Sequence, residues 1–223
     1  MRKNMLRGMA LAASMLFTGA ASAATVTVTY DLNNSVLNIA TPLPIPNAAD
    51  ITGTAVVTFT SDNSGNIIDG PGSLDSVVVN VNLGVGGLAG VGLSGTVVTS
   101  LAAPAATSLT GNALADASPT FNLTGTILCN TAATCGLLGL PGSTTLNTSA
   151  VLALTGATVN PLAAPSHLTA SQALSLSLGS LNTTGTVLLD GVETGRVFVP
   201  EPGTVMLVGM GLVGLAALGR KRA

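Results

Sequence analysis

The residues able to do chemistry in this 223-residue chain are few enough to name. Cys129 and Cys135 flank Asn130-Thr131-Ala132-Ala133-Thr134. There is no C-x-x-C spacing and one histidine in the whole chain, so the pair reads as a disulfide of an exported protein rather than a redox or metal site. His167 follows Ser166, the minimal pairing for a hydrolase, but no G-x-S-x-G turn exposes the serine. Ala164-Pro165-Ser166-His167 therefore reads as a loop with a structural histidine. Asp62-Asn63-Ser64-Gly65-Asn66 and Asp69 bring several oxygen atoms into a short stretch. Calcium favours such oxygens, yet Ile67 stands at the sixth position, where an EF-hand loop needs glycine. The stretch reads as a polar hairpin loop, with calcium binding as the alternative. No resident metal or other cofactor is expected. The last group is Pro200-Glu201-Pro202, a carboxylate between two prolines near the C-terminus. Proline lacks an amide hydrogen and biases the residue before it toward an extended backbone. Such a segment is what a protease binds as a strand, and Glu201 offers it a charge.

The elements around these residues must then position them, and the charges locate those elements. Charged residues make up 7% of the chain, which is too few for an ordinary disordered polypeptide. Lys and Arg together number 7, too few to neutralise a nucleic-acid backbone, so no nucleic-acid partner is expected. Arg2, Lys3 and Arg7 lie at one end and Arg220, Lys221 and Arg222 at the other; only Arg196 lies between. Residues 1–23 read as a secretory signal peptide: the N-terminal bases, an apolar run over 8–18, and Ala21-Ser22-Ala23 as the cleavage site, so that Ala23 and Ala24 flank the cut. Near the other end, residues 204–219 carry no charge. As a helix they reach about 24 Å, slightly short of a hydrocarbon core. The terminal bases close that deficit by snorkelling, and they orient the span with its basic end in the cytoplasm. The predicted organisation is a signal peptide (1–23), an exported body (24–199) and a C-terminal signal (200–223) with a transmembrane helix over 204–219 and a basic tail.

Pro200-Glu201-Pro202, the Gly- and Leu-rich span over 204–219, and Arg220, Lys221 and Arg222 occur in that order at the extreme C-terminus. This arrangement resembles the PEP-CTERM sorting signal of Gram-negative bacteria, over about 25 residues. The resemblance implies an exosortase, a membrane cysteine protease, as the processing partner. It implies that the tail enters the membrane transiently, and that the body is delivered to the cell surface or the extracellular polysaccharide matrix. The Leu-Pro-x-Thr-Gly signal of Gram-positive sortases is absent.

The body has one base, Arg196, against eight acids: Asp31, Asp50, Asp62, Asp69, Asp75, Asp116, Asp190 and Glu193. Its strand signals dominate. In Thr25-Val26-Thr27-Val28-Thr29-Tyr30 the alternation assigns Val26, Val28 and Tyr30 to one face. Further strands are expected over 54–60, 77–83, 96–101, 121–129, 146–154, 174–181, 186–189 and 193–199. Turns are expected at Asn33-Asn34, Asp62-Asn63-Ser64-Gly65, Asp69-Gly70-Pro71-Gly72, Pro141-Gly142 and, as the clearest hairpin, Asp190-Gly191. Residues 102–106 and 160–166 read as loops. Many short strands with regular turns predict an all-β fold, a β-sandwich or a jelly-roll-like body. A Leu/Thr-Ser/Thr-Gly-Thr/Ala echo at Gly95, Gly125, Gly156 and Gly185, with Gly53 as an outlier, suggests either a solenoid repeat or ordinary strand chemistry. Tyr30, Phe59, Phe121 and Phe198 are the body's only aromatics, a poor platform for sugar rings. The expected function is that of a non-enzymatic structural protein of the cell surface or matrix. The alternatives are a calcium- or polysaccharide-binding module and a self-assembling matrix fibre.

Overall fold

The computed structural model describes residues 24–40, 48–62, 64–83, 92–116, 119–138, 142–151, 156–160, 165–178, 181–200 and 209–211. The strands are β1 (Thr25–Asp31), β2 (Val36–Ala40), β3 (Ala48–Thr60), β4 (Gly70–Asn82), β5 (Leu93–Leu101), β6 (Ala105–Thr110), β7 (Ala113–Asp116), β8 (Thr120–Cys129), β9 (Ser143–Val151), β10 (Thr158–Asn160), β11 (His167–Leu178) and β12 (Leu181–Val199). One short helix, α1 (Ala132–Leu138), follows β8.

All the pairings are antiparallel, and some of them close a ring. β1 pairs with both β3 and β12, and from β3 the ring runs through β4, β6, β7, β10 and β11 back to β12. The body is thus built on an eight-stranded β-barrel, which corrects the expected sandwich or jelly roll. The all-β class stands. Local patterning specifies an alternating strand but not its neighbours. Here the N-terminal strand covers the edge of the C-terminal one, which leaves no edge in that part of the sheet. The seam between β7 and β10 is the shortest in the ring. Thr158 faces Ala113, and two amides flank it, Leu114 donating to the Ala157 carbonyl at 2.9 Å and Val159 to that of Asn112 at 2.8 Å.

Several strands outrun the barrel. β4 leaves β6 after Leu74 and pairs with β5 from Val78 onward; β12 pairs with β2 over Thr184 to Leu188 before it reaches β1. The overhangs form an open row in the order β9-β8-β5-β4-β3-β2-β12-β11. One buried cluster runs through both parts, from Val26, Val28 and Phe59 in the barrel to Val81, Phe121 and Ile127 in the row.

Two expected turns are strand. Asp190-Gly191 lies inside β12, where Asp190 faces Thr169 and Gly191 faces Leu168. Gly191 is buried, and a Cβ there would stand 3.0 Å from Leu32 Cδ2 and 3.1 Å from Tyr30 Cβ. Its missing side chain is needed for packing, not for a turn. Asp69-Gly70-Pro71-Gly72 opens β4, with Pro71 facing Ser108 beyond the end of the β3 ladder. The expected loops lose residues to strands as well, since β6 begins at Ala105 and β10 ends at Asn160. The glycine echo is not a solenoid: Gly53, Gly95, Gly125 and Gly185 lie within β3, β5, β8 and β12.

The disulfide Cys129–Cys135 joins the end of β8 to α1, with Cα atoms 5.6 Å apart. A seven-residue helix does not sustain itself in water, so the bond is what holds this turn against the sheet. Replacing both cysteines by serine should cost about 2 kcal/mol in the chain-entropy account. Hydrogen exchange should show the loss first at α1 and the end of β8; protection unchanged there would show that packing alone orders the helix.

Candidate functional site

The two ends of the body form one structural unit. In β1 the alternation turns Val26, Val28 and Tyr30 into the barrel, as expected, and all three are fully buried. In β12, Thr194 forms a bulge: Thr29 faces Gly195 while Tyr30 faces Glu193. Beyond it the ladder runs Val28 to Arg196, Thr27 to Val197, Val26 to Phe198 and Thr25 to Val199. The first strand residue after the expected signal cut therefore lies opposite the last residue before Pro200. Ala24 is buried, and its carbonyl accepts the Ser61 amide at 2.8 Å. Pro200 has no N–H to extend the ladder, which is why the strand stops there.

The last residues of β12 are held mainly from one side. β11 meets β12 only up to Val192, so among the described residues β1 alone pairs with the final stretch. Val197 and Val199 are 62% and 51% exposed, and the Phe198 ring rests against Gly65. The same stretch supplies the whole β1–β12 ladder, so the end of the body is also the seam that closes the barrel.

Below this rim a polar cluster, buried at Tyr30 and Ser166 and opening to the surface at Arg196, ties β1, β12 and the start of β11 together. The Tyr30 hydroxyl and Ser166 Oγ lie 3.1 Å apart. The Ser166 amide donates to Glu193 Oε2 at 2.9 Å, and the Glu193 amide to the Ser166 carbonyl at 2.9 Å. Arg196 grips the same carboxylate with Nε and Nη2, both at 2.7 Å. Burial pushes the Tyr30 hydroxyl up to about 12. The Arg196 hydrogen bonds hold the Glu193 carboxyl below its ordinary range. The body's one base, four residues before Pro200, is thus engaged by a neighbouring acid.

The other candidates separate. Ser166 is buried on Tyr30, while the neighbouring His167 is exposed with Nδ1 3.9 Å from Asp190 Oδ1. Adjacent residues at a strand's start face opposite ways, so serine and imidazole do not meet. Asp62 turns its oxygens on its own loop, accepting the Ser64 and Asn66 amides and Asn66 Nδ2, each at 2.8 Å. Asp69 accepts the Gly111 amide at 2.8 Å. Among the described residues no group of three His, Cys, Asp or Glu side chains could hold a metal ion. Ala23, Glu201, Pro202, Arg220, Lys221 and Arg222 lie outside the described residues, as does the signal peptide. Of the apolar stretch 204–219 only 209–211 are described, and they are helical. Among the described residues no helix is long and apolar enough to cross a membrane.

Residues 198–222 match the family model of the PEP-CTERM protein-sorting motif. The chain carries a PEP-CTERM sorting motif. The match begins at Phe198, two residues inside β12, so the motif is continuous with the barrel wall and no linker separates them. A PEP-CTERM motif implies an exported protein, processed by an exosortase and sorted by way of the membrane toward the cell surface. No curated protein and no solved structure matches the chain. Composition and end motifs pointed to the sorting segment; nothing in them pointed to the pairing of the strand before that segment with β1, or to the Tyr30–Ser166–Glu193 cluster.

Proposed function

We propose that this protein is a non-enzymatic structural component of the cell surface or extracellular matrix, delivered through the membrane by its PEP-CTERM motif. In this reading the precursor is held at both ends, by the signal peptide over 1–23 and by a transmembrane helix over 204–219. One observation carries the reading: Thr25 lies opposite Val199. An antiparallel pair whose outer ends coincide brings the two attached apolar segments to one rim, as two antiparallel spans of one membrane require. The bases agree, since Arg2, Lys3 and Arg7 precede one apolar run and Arg220, Lys221 and Arg222 follow the other. Both basic ends then face the cytoplasm, and the acidic body lies outside. The exosortase meets Pro200-Glu201-Pro202 directly under the barrel. Partners in the matrix are polysaccharide or other copies of the protein.

Mass spectrometry of the protein from its native cells tests this. The wild-type chain should lack residues 1–23 and the segment beyond the motif. Glu201→Lys should keep the tail and remain in the membrane fraction, with processed protein reduced at least tenfold. A Glu201→Lys protein of unchanged mature mass and location overturns the proposal.

A further inference from the structure

We propose that the two free strand edges of the open row join copies of this chain head to tail into a continuous sheet. The row β9-β8-β5-β4-β3-β2-β12-β11 ends on β9 at one side and on residues 171–178 of β11 at the other. Each of these is paired along its full length on one side only: β9 with β8, and residues 171–178 with β12. β10 covers β11 only at His167 to Thr169. Among the described residues nothing pairs with either outer edge. The two edges are of nearly equal length, and each offers N–H and C=O groups that no strand pairs, the template on which another strand adds; in residues 171–178 the Ala173 carbonyl accepts Gln172 Nε2 of the same strand at 2.8 Å.

The usual devices against such pairing are missing here. Neither β9 (Ser-Thr-Thr-Leu-Asn-Thr-Ser-Ala-Val) nor residues 171–178 (Ser-Gln-Ala-Leu-Ser-Leu-Ser-Leu) contains a charge or a proline. β5 and β8, behind β9, also carry no charge. The acids concentrate elsewhere: Asp31, Asp62, Asp69, Asp75 and Glu193 sit on or beside barrel strands. Charge thus keeps the barrels apart while the mating edges stay neutral.

The parity of the row identifies the occupant as a second copy in the same orientation. Every step from β9 to β11 is antiparallel, and the row has an even number of strands, so β9 and residues 171–178 run in opposite directions. A copy related by translation and twist therefore sets its β9 antiparallel to the neighbour's β11 and continues the existing alternation. The interface is heterologous, and with the native sheet twist it generates an open helical fibre. This assembly gives the structural role proposed above a mechanism but does not depend on how the chain is sorted. It is read on purified protein, whereas sorting is read in cells.

The test uses the full chain in detergent. Asn147 on β9 and Ala173 on β11 are both exposed, so lysine at either fits the folded protein and blocks one edge. In sedimentation velocity the wild type should form a concentration-dependent ladder of oligomers. Asn147→Lys and Ala173→Lys should each be monomeric. Their equimolar mixture should stop at dimers, since each variant retains the edge that the other lacks. Thr145→Lys and Ser171→Lys repeat the experiment on the same strands should either first variant fail to fold. A wild type that stays monomeric at high concentration overturns the proposal. So do oligomers that persist in both variants, which would arise from the tail. Dimers of Ala173→Lys alone would mean that β9 pairs with itself, and would also overturn it.

Discussion

Replacing Gly53 by alanine should destabilise the body by about 3 kcal/mol or more, and should do so in barrel and row together. Gly53 stands in β3 between the part that pairs with β2 and the part that pairs with β1. Across from it is Val79, in β4, where that strand has just left the barrel for the row. A Cβ at Gly53 would lie 2.1 Å from the Val78 carbonyl oxygen and 3.1 Å from Val79 Cα. Both neighbours are backbone, so no rotamer relieves the contact and the β3–β4 ladder itself has to move. That ladder is shared by the two halves of the sheet, and the Gly53 carbonyl also accepts the Leu32 amide at 2.9 Å. Gly142→Ala is the control, because a Cβ there meets nothing within 4 Å. A chain of this size loses about 2–4 °C of Tm per kcal/mol. Gly53→Ala should therefore melt at least about 6 °C lower and Gly142→Ala within a degree or so of wild type. Equal melting of the two would show that β3 and β4 separate at Gly53 without loss, and that the hinge is loose.

The sequence was most legible where a single strand or a contiguous motif carries the information. Period-two alternation is a property of one strand, so Val26, Val28 and Tyr30 could be assigned to one face before any partner was known, and that face is the buried one. The sorting segment is contiguous, and its order of elements is its meaning. What failed was non-local. Asp190-Gly191 has strong turn chemistry, yet β11, Ser35 and Leu32 surround it and the pairing outweighs the local preference. Pro71 reads as a breaker, but a proline is tolerated where one ladder has ended. Barrel closure depends on β1 meeting β12, the longest-range pairing in the chain, and no periodicity encodes a strand's neighbour. For the same reason the pairing of the body's first strand with the strand that leads into the sorting motif was hidden.

Tyr30→Ala should be the most damaging single change in the body, at about 3–5 kcal/mol for an emptied aromatic site, with Ser166 left buried beside the cavity. Tyr30→Phe separates the hydroxyl from the ring. It keeps the packing and at neutral pH should cost only about 1 kcal/mol. At high pH the order should reverse. Burial raises the Tyr30 hydroxyl from its ordinary 10.0 to about 12 in the folded chain. A raised value means that the neutral form is favoured by folding, so the stability is complete below pH 10 and is lost as pH rises toward 12. Two units correspond to about 2–3 kcal/mol. Tyr30→Phe has no such group and should be flat over that range, crossing above the wild type near the top of it. The composition makes the assignment unusually clean. Tyr30 is the one tyrosine, there is no tryptophan, and the two lysines, Lys3 and Lys221, lie outside the body. Tyrosinate absorbance therefore reports this residue alone, and urea unfolding at a series of alkaline pH values reports its linkage. The opposite limb belongs to Glu193. Its carboxyl is lowered by Arg196, so its contribution is present above the ordinary 4.5 and fades as pH falls below it. Tyrosinate forming near pH 10 in the folded protein, or a Tyr30→Phe protein that loses stability in alkali as the wild type does, would mean that the Tyr30–Ser166 contact opens to water and that β1, β12 and β11 are not locked at this rim.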